Sequence, residues 1–522
     1  MEISKIIYRS LFTDCEQKIY VKRDRSTVIA VGLCLVVAIT IFAVFKWFYP
    51  YPNFSPDSYS YIETAFYNYF ISIWPTGYSK FLRLVSCFSF SHNFLVWTQY
   101  LLVESSLLYF IVSLSSLFGL SGTVRNVLLA ANLLNPINLY VSNFISSDAL
   151  FTSLSLIWLT QLFWILHSPS KRLLLTHAIV LVLAFCVRYN ALYYPFISLA
   201  VILFKKAAWK QKLLGAVAIV GLVSLFVVLT IGEYIRVTKT PQFSAFGGWQ
   251  LANNALYAYG EVPNLPVKDV PEEFRVIHSI ANRFKDSVRQ EKYAPYDHVG
   301  SYFLWDEKSP LGVYIRAKYQ NDSTTKGFAR WASVAPLYGA YGTYLITHYP
   351  LSYTENYIWP NLKNYYLPAS EFLSWYNMSR DTIEPIAEQW FHLRSKKVFT
   401  RANEKGWTIA KFYPVLLCTI NGFFVIALIG FLMLNGFSKA VPSFTIVLRW
   451  VFIIWICNNV FSVLASPIVL RYQLFAQVLS LTSSILLLSF IIRESRSEGE
   501  KVGELTDHIK VDSPVGYQKI VT

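Results

Sequence analysis

The chain has 522 residues, a formal net charge of +15, 54% hydrophobic residues and a mean hydropathy of +0.39. Uninterrupted apolar stretches of roughly 20 residues recur along it, which sets soluble folds aside in favour of a polytopic helical membrane protein. Its Lys and Arg are spread over the loops between those stretches instead of forming one basic stripe, which argues against nucleic acid as a partner.

Residues 1–26 are polar and carry Lys5, Arg9, Lys18, Lys22, Arg23 and Arg25. They are too long for a signal-peptide n-region, and no small-residue cleavage motif follows the next apolar run, so a retained first span behind a cytoplasmic N-terminal segment is expected. Apolar spans fall at 27–49, 94–118, 126–145, 149–167, 173–187, 190–204, 213–232, 412–435, 446–465 and 472–492. Lys171, Arg172, Lys205, Lys206, Lys210 and Lys212 flank alternate turns, so the positive-inside rule puts those turns in the cytoplasm. The loop 50–93, the turns at Asp148, Arg188 and Arg471, and the segment 233–411 then lie outside.

The first external loop contains SPDSYSYIETAFYNYF and WPTGYSKFLRLVSCFSF, read as two amphipathic helices at the interface, with Pro75 and Gly77 at their junction. Residues 233–411 hold turn signals at Gly247-Gly248 and 307–312 and read as an inserted extracytoplasmic globular domain of mixed α/β structure. The apolar stretch 328–346 within it reads as a helix near the membrane and not as a span. From Arg493 the chain is charged and poor in apolar residues, so a disordered cytoplasmic tail is expected over 493–522. The expected division is therefore 1–26, an N-terminal transmembrane module 27–232, the domain 233–411, C-terminal spans 412–492, and the tail. Cys15, Cys34, Cys87, Cys186, Cys418 and Cys457 form no CxxC, and the eight histidines have no ligand spacing, so no tight metal site is expected. A carboxylate pair could still hold a divalent cation loosely. Asn53, Asn321 and Asn377 begin N-x-S sequons on the outer side.

Four ionisable residues stand at span ends on the same side, where such groups are costly and mark substrate paths or chemistry. Asp57, in PDSYSY, is either the N-cap of the next helix or a general base for an acceptor hydroxyl. Asp148, in ISSDALF, is either a cap, with Ser146 and Ser147 as competitors, or a group that orients the acceptor. Arg188, in CVRYNALYYP, and Arg471, in SPIVLRYQLF, offer bidentate donors suited to phosphate or carboxylate. Lys80 and Arg83 are basic groups at the level of anionic headgroups.

Taken in order, PDSYSYIETA, WPTGYSKFLRL, LLNPINLYVSNFISSDALFTSLSL, CVRYNALYYP and SPIVLRYQLF resemble the corresponding segments of GT-C fold glycosyltransferases. The resemblance is to the polyprenyl-phosphate-sugar-dependent group that includes aminoarabinose and protein O-mannosyl transferases. It covers 27–204 and, more loosely, the C-terminal spans. Ser58 stands where family members often carry a second acid, and Asp148 where Glu is common. The resemblance implies transfer of a sugar, with inversion, from a polyprenyl phosphate to a hydroxyl acceptor outside the membrane, in a bacterial plasma membrane or the endoplasmic reticulum. It assigns catalysis to Asp57 and Asp148, the donor phosphate to Arg188, Arg471, Lys80 and Arg83, and sugar or acceptor contacts to Tyr59, Tyr61, Tyr78 and Trp249. Two other readings stay open: a flippase or transporter of a lipid-linked or anionic substrate, and a polymerase or ligase using a diphosphate-lipid donor.

Overall fold

A computed structural model describes residues 25–290, 299–322, 324–325, 327–402 and 408–511, with side chains described as far as 497. The basic residues before Arg25 lie outside the described residues. The chain's described elements are all helices. Labelled in chain order, its principal helices are α1 (Arg25–Phe48), α2 (Pro56–Phe66), α3 (Gly77–Ser86), α4 (His92–Phe118), α5 (Gly122–Leu133), α6 (Pro136–Ser142), α7 (Asp148–His167), α8 (Lys171–Val187), α9 (Tyr194–Phe204), α10 (Trp209–Thr238), α11 (Ala245–Gly260), α12 (Arg275–Gln290), α13 (Ala335–His348), α14 (Tyr413–Met433), α15 (Pro442–Ala465) and α16 (Leu474–Val511).

Among the described residues seven helices are long and apolar enough to cross a membrane, which makes this a polytopic helical membrane protein. The other three expected spans are shorter. Pro136 lacks the N–H needed to continue a helix and breaks 126–145 into α5 and α6. The stretches 173–187 and 190–204 become the 17-residue α8 and a 3-10 turn leading into α9. α7 is apolar on all sides and is the most enclosed of the seven, as a helix without a polar face must be. It packs on α4 and α8, while α8 leans on α10 and α14 on α16. α1 and α10 are only 17% buried over their apolar windows and face outward, as lipid-exposed helices do.

The expected mixed α/β domain is corrected. Among the described residues there is no strand ladder, only three isolated bridges, Asn53 with Phe144, Ala369 with Val469, and Thr382 with Lys397. Gly247 and Gly248 do not turn the chain but lie inside α11. A Cβ at Gly342 would stand 2.8 Å from the Leu251 and Ala252 backbone, so glycine lets α13 press against α11. Segment 233–411 also divides. Residues from Ala245 to Tyr357 build their own core around Trp249, Tyr338 and Tyr341, whereas Leu373, Tyr376, Trp390 and Phe391 join the core of the transmembrane helices.

Where a disordered tail is expected from Arg493, α16 continues as helix to Val511. An established apolar helix has already met the nucleation cost, so polar residues can be added turn by turn. Residues 512–522 lie outside the described residues.

Candidate functional site

Asp57, Asp148, Arg188 and Arg471 meet at one end of the helices. Each is delivered by a different local device. Pro56 occupies the first turn of α2, and the Ser55 N–H donates to Ser58 Oγ at 3.0 Å, so the serines close the helix start and Asp57 is not its cap. Asp148 is the first residue of α7, where the helix dipole favours a carboxylate, and Ser146 Oγ donates to its Oδ2 at 2.9 Å. Tyr61 hydroxyl meets Ser147 Oγ at 3.0 Å, tying α2 to this turn. Arg188 follows α8 in extended conformation (φ −151°) before the 3-10 turn Tyr189–Tyr193. Arg471 lies in the 3-10 turn Leu470–Gln473, held by the Leu470 N–H to Ala369 O bond of 2.9 Å.

Asn53 fastens these segments together. Its N–H donates to Asn143 O at 2.7 Å and its O accepts from the Ile145 N–H at 3.1 Å, while its Oδ1 accepts from the Asn377 N–H at 2.6 Å. The first loop, the Asp148 turn and the segment 369–380 are thereby set against one another. That segment brings in Glu371, which the sequence reading did not single out.

The resulting network has Arg471 at its centre. Nη2 donates to Asp57 Oδ2 at 2.7 Å, Nε to Glu371 Oε2 at 3.0 Å, and Nη1 stands 3.8 Å from Asp148 Oδ2. Arg188 Nη1 pairs with the other oxygen of Asp148. Both guanidinium groups lie over the Tyr472 ring, at 4.5 Å for Arg188 and 4.9 Å for Arg471. Three carboxyl groups thus face two guanidinium groups, one acid more than there are bases.

Exposure grades the carboxylates. Asp148 is 1% exposed, Asp57 14% and Glu371 29%, so the two that share Arg471 form the open side. Burial pushes the Glu371 carboxyl above its ordinary range. Arg471 opposes that shift, and the nearby Asp57 and Asp148 reinforce it. Glu371 also has φ +47°, a left-handed backbone that costs a non-glycine residue about 1 kcal/mol or more. The Ala369–Val469 bridge and the Ser370 hydroxyl, 3.3 Å from Ala410 O, hold the segment there. Among the described residues no group of three or more His, Cys, Asp or Glu is disposed to hold a metal ion.

The other expected site residues lie elsewhere. Lys80 Nζ donates to Asn68 Oδ1 and Tyr69 O, both at 2.8 Å, and Arg83 Nη1 to Ala65 O at 2.9 Å. They bind the chain at the C-terminal end of α2, where carbonyls lack partners, whereas Asp57 is at its N-terminal end. Tyr59 is buried and stacks on Phe54, and Tyr78 is fully buried with its hydroxyl on Gln99 Oε1 at 2.7 Å. Trp249 is buried against Trp331 and Tyr338 in the core of residues 245–358. Of the aromatic candidates, Tyr61 and Tyr78 meet the serines beside Asp148, Tyr61 at Ser147 and Tyr78 at Ser146.

Glu371 gave little sign of itself in the sequence, since it lies in no span and is brought in by the bonds of Asn53 to Phe372 and Asn377, which join residues 319 and 324 apart in the chain. Tyr472 was visible only as the neighbour of Arg471. Comparison with protein-family models, with curated proteins and with solved structures finds no match to this chain.

Proposed function

We propose that the protein is an integral membrane glycosyltransferase that moves a sugar from a polyprenyl-phosphate donor to a hydroxyl acceptor. The observation that carries this reading is the convergence of Asp57, Asp148, Glu371, Arg188 and Arg471, from five separate segments, at one end of the helices. A carboxylate at the open side accepts the proton of the acceptor hydroxyl as its oxygen attacks the anomeric carbon from the face opposite the phosphate. The C–O bond to the phosphate breaks, and its electron pair leaves on the lipid phosphate. Asp57 is the base in this reading, with Glu371 beside it on Arg471. Arg188 and Arg471 each carry five N–H donors, more than the carboxylates engage, and stabilise the departing phosphate with the remainder. Asp148, nearly inaccessible and paired to Arg188, is a positioning residue.

A second reading, transport of a lipid-linked or anionic substrate, is favoured by one observation: Glu104 is buried near the middle of the 27-residue α4. The test is transfer from radiolabelled polyprenyl-phosphate sugars to envelope acceptors by the protein in lipid. Asp57→Asn is expected to lower transfer about 100-fold or more, as loss of a general base does. Arg188→Ala is expected to abolish it. Undiminished transfer by Asp57→Asn removes that residue as base. No wild-type transfer, together with protein-dependent lipid movement in vesicles, favours the transport reading.

A further inference from the structure

Where α3 runs out into the loop before α4, a surface cavity of about 400 Å³ opens among Arg83, Leu84, Ser86, Cys87, Phe90 and Trp390. That volume lies in the range of small-molecule sites, roughly 300–1,000 Å³. Its walls are fixed by packing and hydrogen bonds. Trp390, only 6% exposed, meets Phe90 edge-on with ring centroids 5.6 Å apart. Ser86 Oγ and Cys87 Sγ both turn back to the Arg83 carbonyl, at 2.8 and 3.3 Å. The two small polar side chains are thus taken up by the backbone, and the Arg83 guanidinium is the charged group of the lining.

The positive charge here is not balanced within the protein. Arg83 gives one N–H to Ala65 O, and Lys80, one turn back along α3, serves Asn68 and Tyr69. Among the described residues neither forms an ion pair with a carboxylate. The C-terminal end of α2, which both approach, carries roughly half a negative charge against their two full positive ones. Like charges one turn apart on a helix repel, and Arg83 adds to the burial that draws the Lys80 amine below its ordinary range. What is missing is an anion with several acceptor oxygens, for which the guanidinium has N–H groups to spare.

The surroundings narrow the choice of anion. Phe88 is 76% exposed and Leu84 and Phe90 are exposed beside it, in the segment that leads into the span α4 at His92. Phe94 and Leu101, seven residues apart and so on one face of α4, are exposed as well, which continues the apolar surface from the cavity along the span. Phosphate oxygens at the top and acyl chains below match that layout, whereas a soluble anion would leave the apolar patch uncovered. The sugar donor of the proposed reaction does not match it. Ala65 lies eight residues beyond Asp57 on α2, about 12 Å along the helix, so a phosphate on Arg83 is too far from the base to be the leaving group.

We propose that the cavity at Arg83 binds the headgroup of an anionic phospholipid from the leaflet at this end of the helices, with its phosphate on the guanidinium and its acyl chains along Phe88, Phe94 and Leu101. Because Arg83 also holds the end of α2 through Ala65, such a lipid ties the α2–α3 pair to the bilayer.

Occupancy can be read without reference to sugar transfer, because Cys87 lines the cavity and is exposed, while Cys418, exposed on α14, serves as the internal reference. The full chain in neutral detergent is alkylated in the presence of phosphatidylglycerol, phosphatidylcholine or inorganic phosphate, and each cysteine is followed by peptide mass spectrometry. Phosphatidylglycerol is expected to slow alkylation of Cys87 several-fold relative to Cys418, saturably, and the other two to leave it unchanged. Arg83→Gln is expected to remove the protection. Should that variant fail to fold, Phe88→Ser, at an exposed side chain, is expected to move the midpoint to higher lipid concentration. No protection of the wild type, or equal protection by phosphatidylcholine or by inorganic phosphate alone, would overturn the proposal. So would protection that survives unchanged in Arg83→Gln, or in Phe88→Ser where the first variant does not fold.

Discussion

Arg471 satisfies Asp57 and Glu371 with two different nitrogens and approaches Asp148 with a third. A planar fork of five donors can do this where an ammonium could not, so the position is chemically specific to arginine. Its 7% exposure means that the attraction acts with little screening by water. Burial, reinforced by two neighbouring carboxylates, holds the Glu371 carboxyl above its ordinary range. The sign follows from linkage. A carboxyl whose folded pKa exceeds its unfolded value of about 4.3 stabilises the fold below that value, and the contribution is lost as pH rises through the folded pKa. Glu371→Gln keeps an oxygen for the Arg471 Nε–H and cannot ionise. The stability of Glu371→Gln relative to wild type is expected to increase from about pH 4.3 upward, flattening above the folded pKa. Paired unfolding curves from pH 4 to 8 check this, and a pH-independent difference would count against it.

Elements, rather than single contacts, decide how closely these groups converge. The start of α3 is pressed onto the end of α8: a Cβ at Gly77 would lie 2.5 Å from the carbonyl carbon and oxygen of Cys186, two residues before Arg188. Backbone cannot rotate aside as a side chain can. Gly77→Ala is therefore expected to cost about 1–3 kcal/mol, the range for overpacking, and to displace the Arg188 turn. Chemical unfolding and transfer activity measured on the same preparation would check it, and wild-type stability with wild-type transfer would refute it. The sequence carried much of this level. Asp57, Asp148, Arg188 and Arg471 were legible because each stands where an apolar run ends, a place where charge is conspicuous. Glu371 was not, because a polar loop disguises an acid, and its contact depends on the Ala369–Val469 bridge joining residues 100 apart in the chain. Lys80 and Arg83 shared the loop with Asp57, but helix α2 holds them at its far end. The mixed domain misread a helix crossing as a turn, since Gly247-Gly248 has the composition of both.

For the whole molecule, the contacts put the turns at Asp148, Arg188 and Arg471 and the first loop at one end of the helices, and Asn361 helps fix that end. Its Nδ2 donates to Val463 O at 2.8 Å and Ser466 O at 2.9 Å, and its Oδ1 accepts from the Ile468 N–H at 2.9 Å, shaping the turn before Arg471. The loops with Lys171, Arg172, Lys205 and Lys212 follow helices that run away from that end, as a positive-inside arrangement requires. Sidedness can be tested through the three sequons, because the fold makes them unequal. Asn53 is 6% exposed and Asn377 is fully buried. Asn377 Nδ2, the atom a glycan would occupy, donates to Arg380 O at 2.8 Å and Thr382 O at 3.1 Å, and Asn53 Nδ2 points to Phe372 O at 3.4 Å. A glycan on either would remove bonds that assemble the site, whereas Asn321 is exposed beyond the core of residues 245–358. Expressed in a eukaryotic secretory membrane, the folded population is expected to carry a glycan at Asn321 and none at Asn53 or Asn377. Glycopeptide mass spectrometry of monodisperse protein decides the matter. A bare Asn321 in protein that folds would put segment 233–411, and the charged site with it, on the cytoplasmic side, whereas a glycan at Asn53 in folded protein would contradict the packing of the first loop against Asn143 and Asn377.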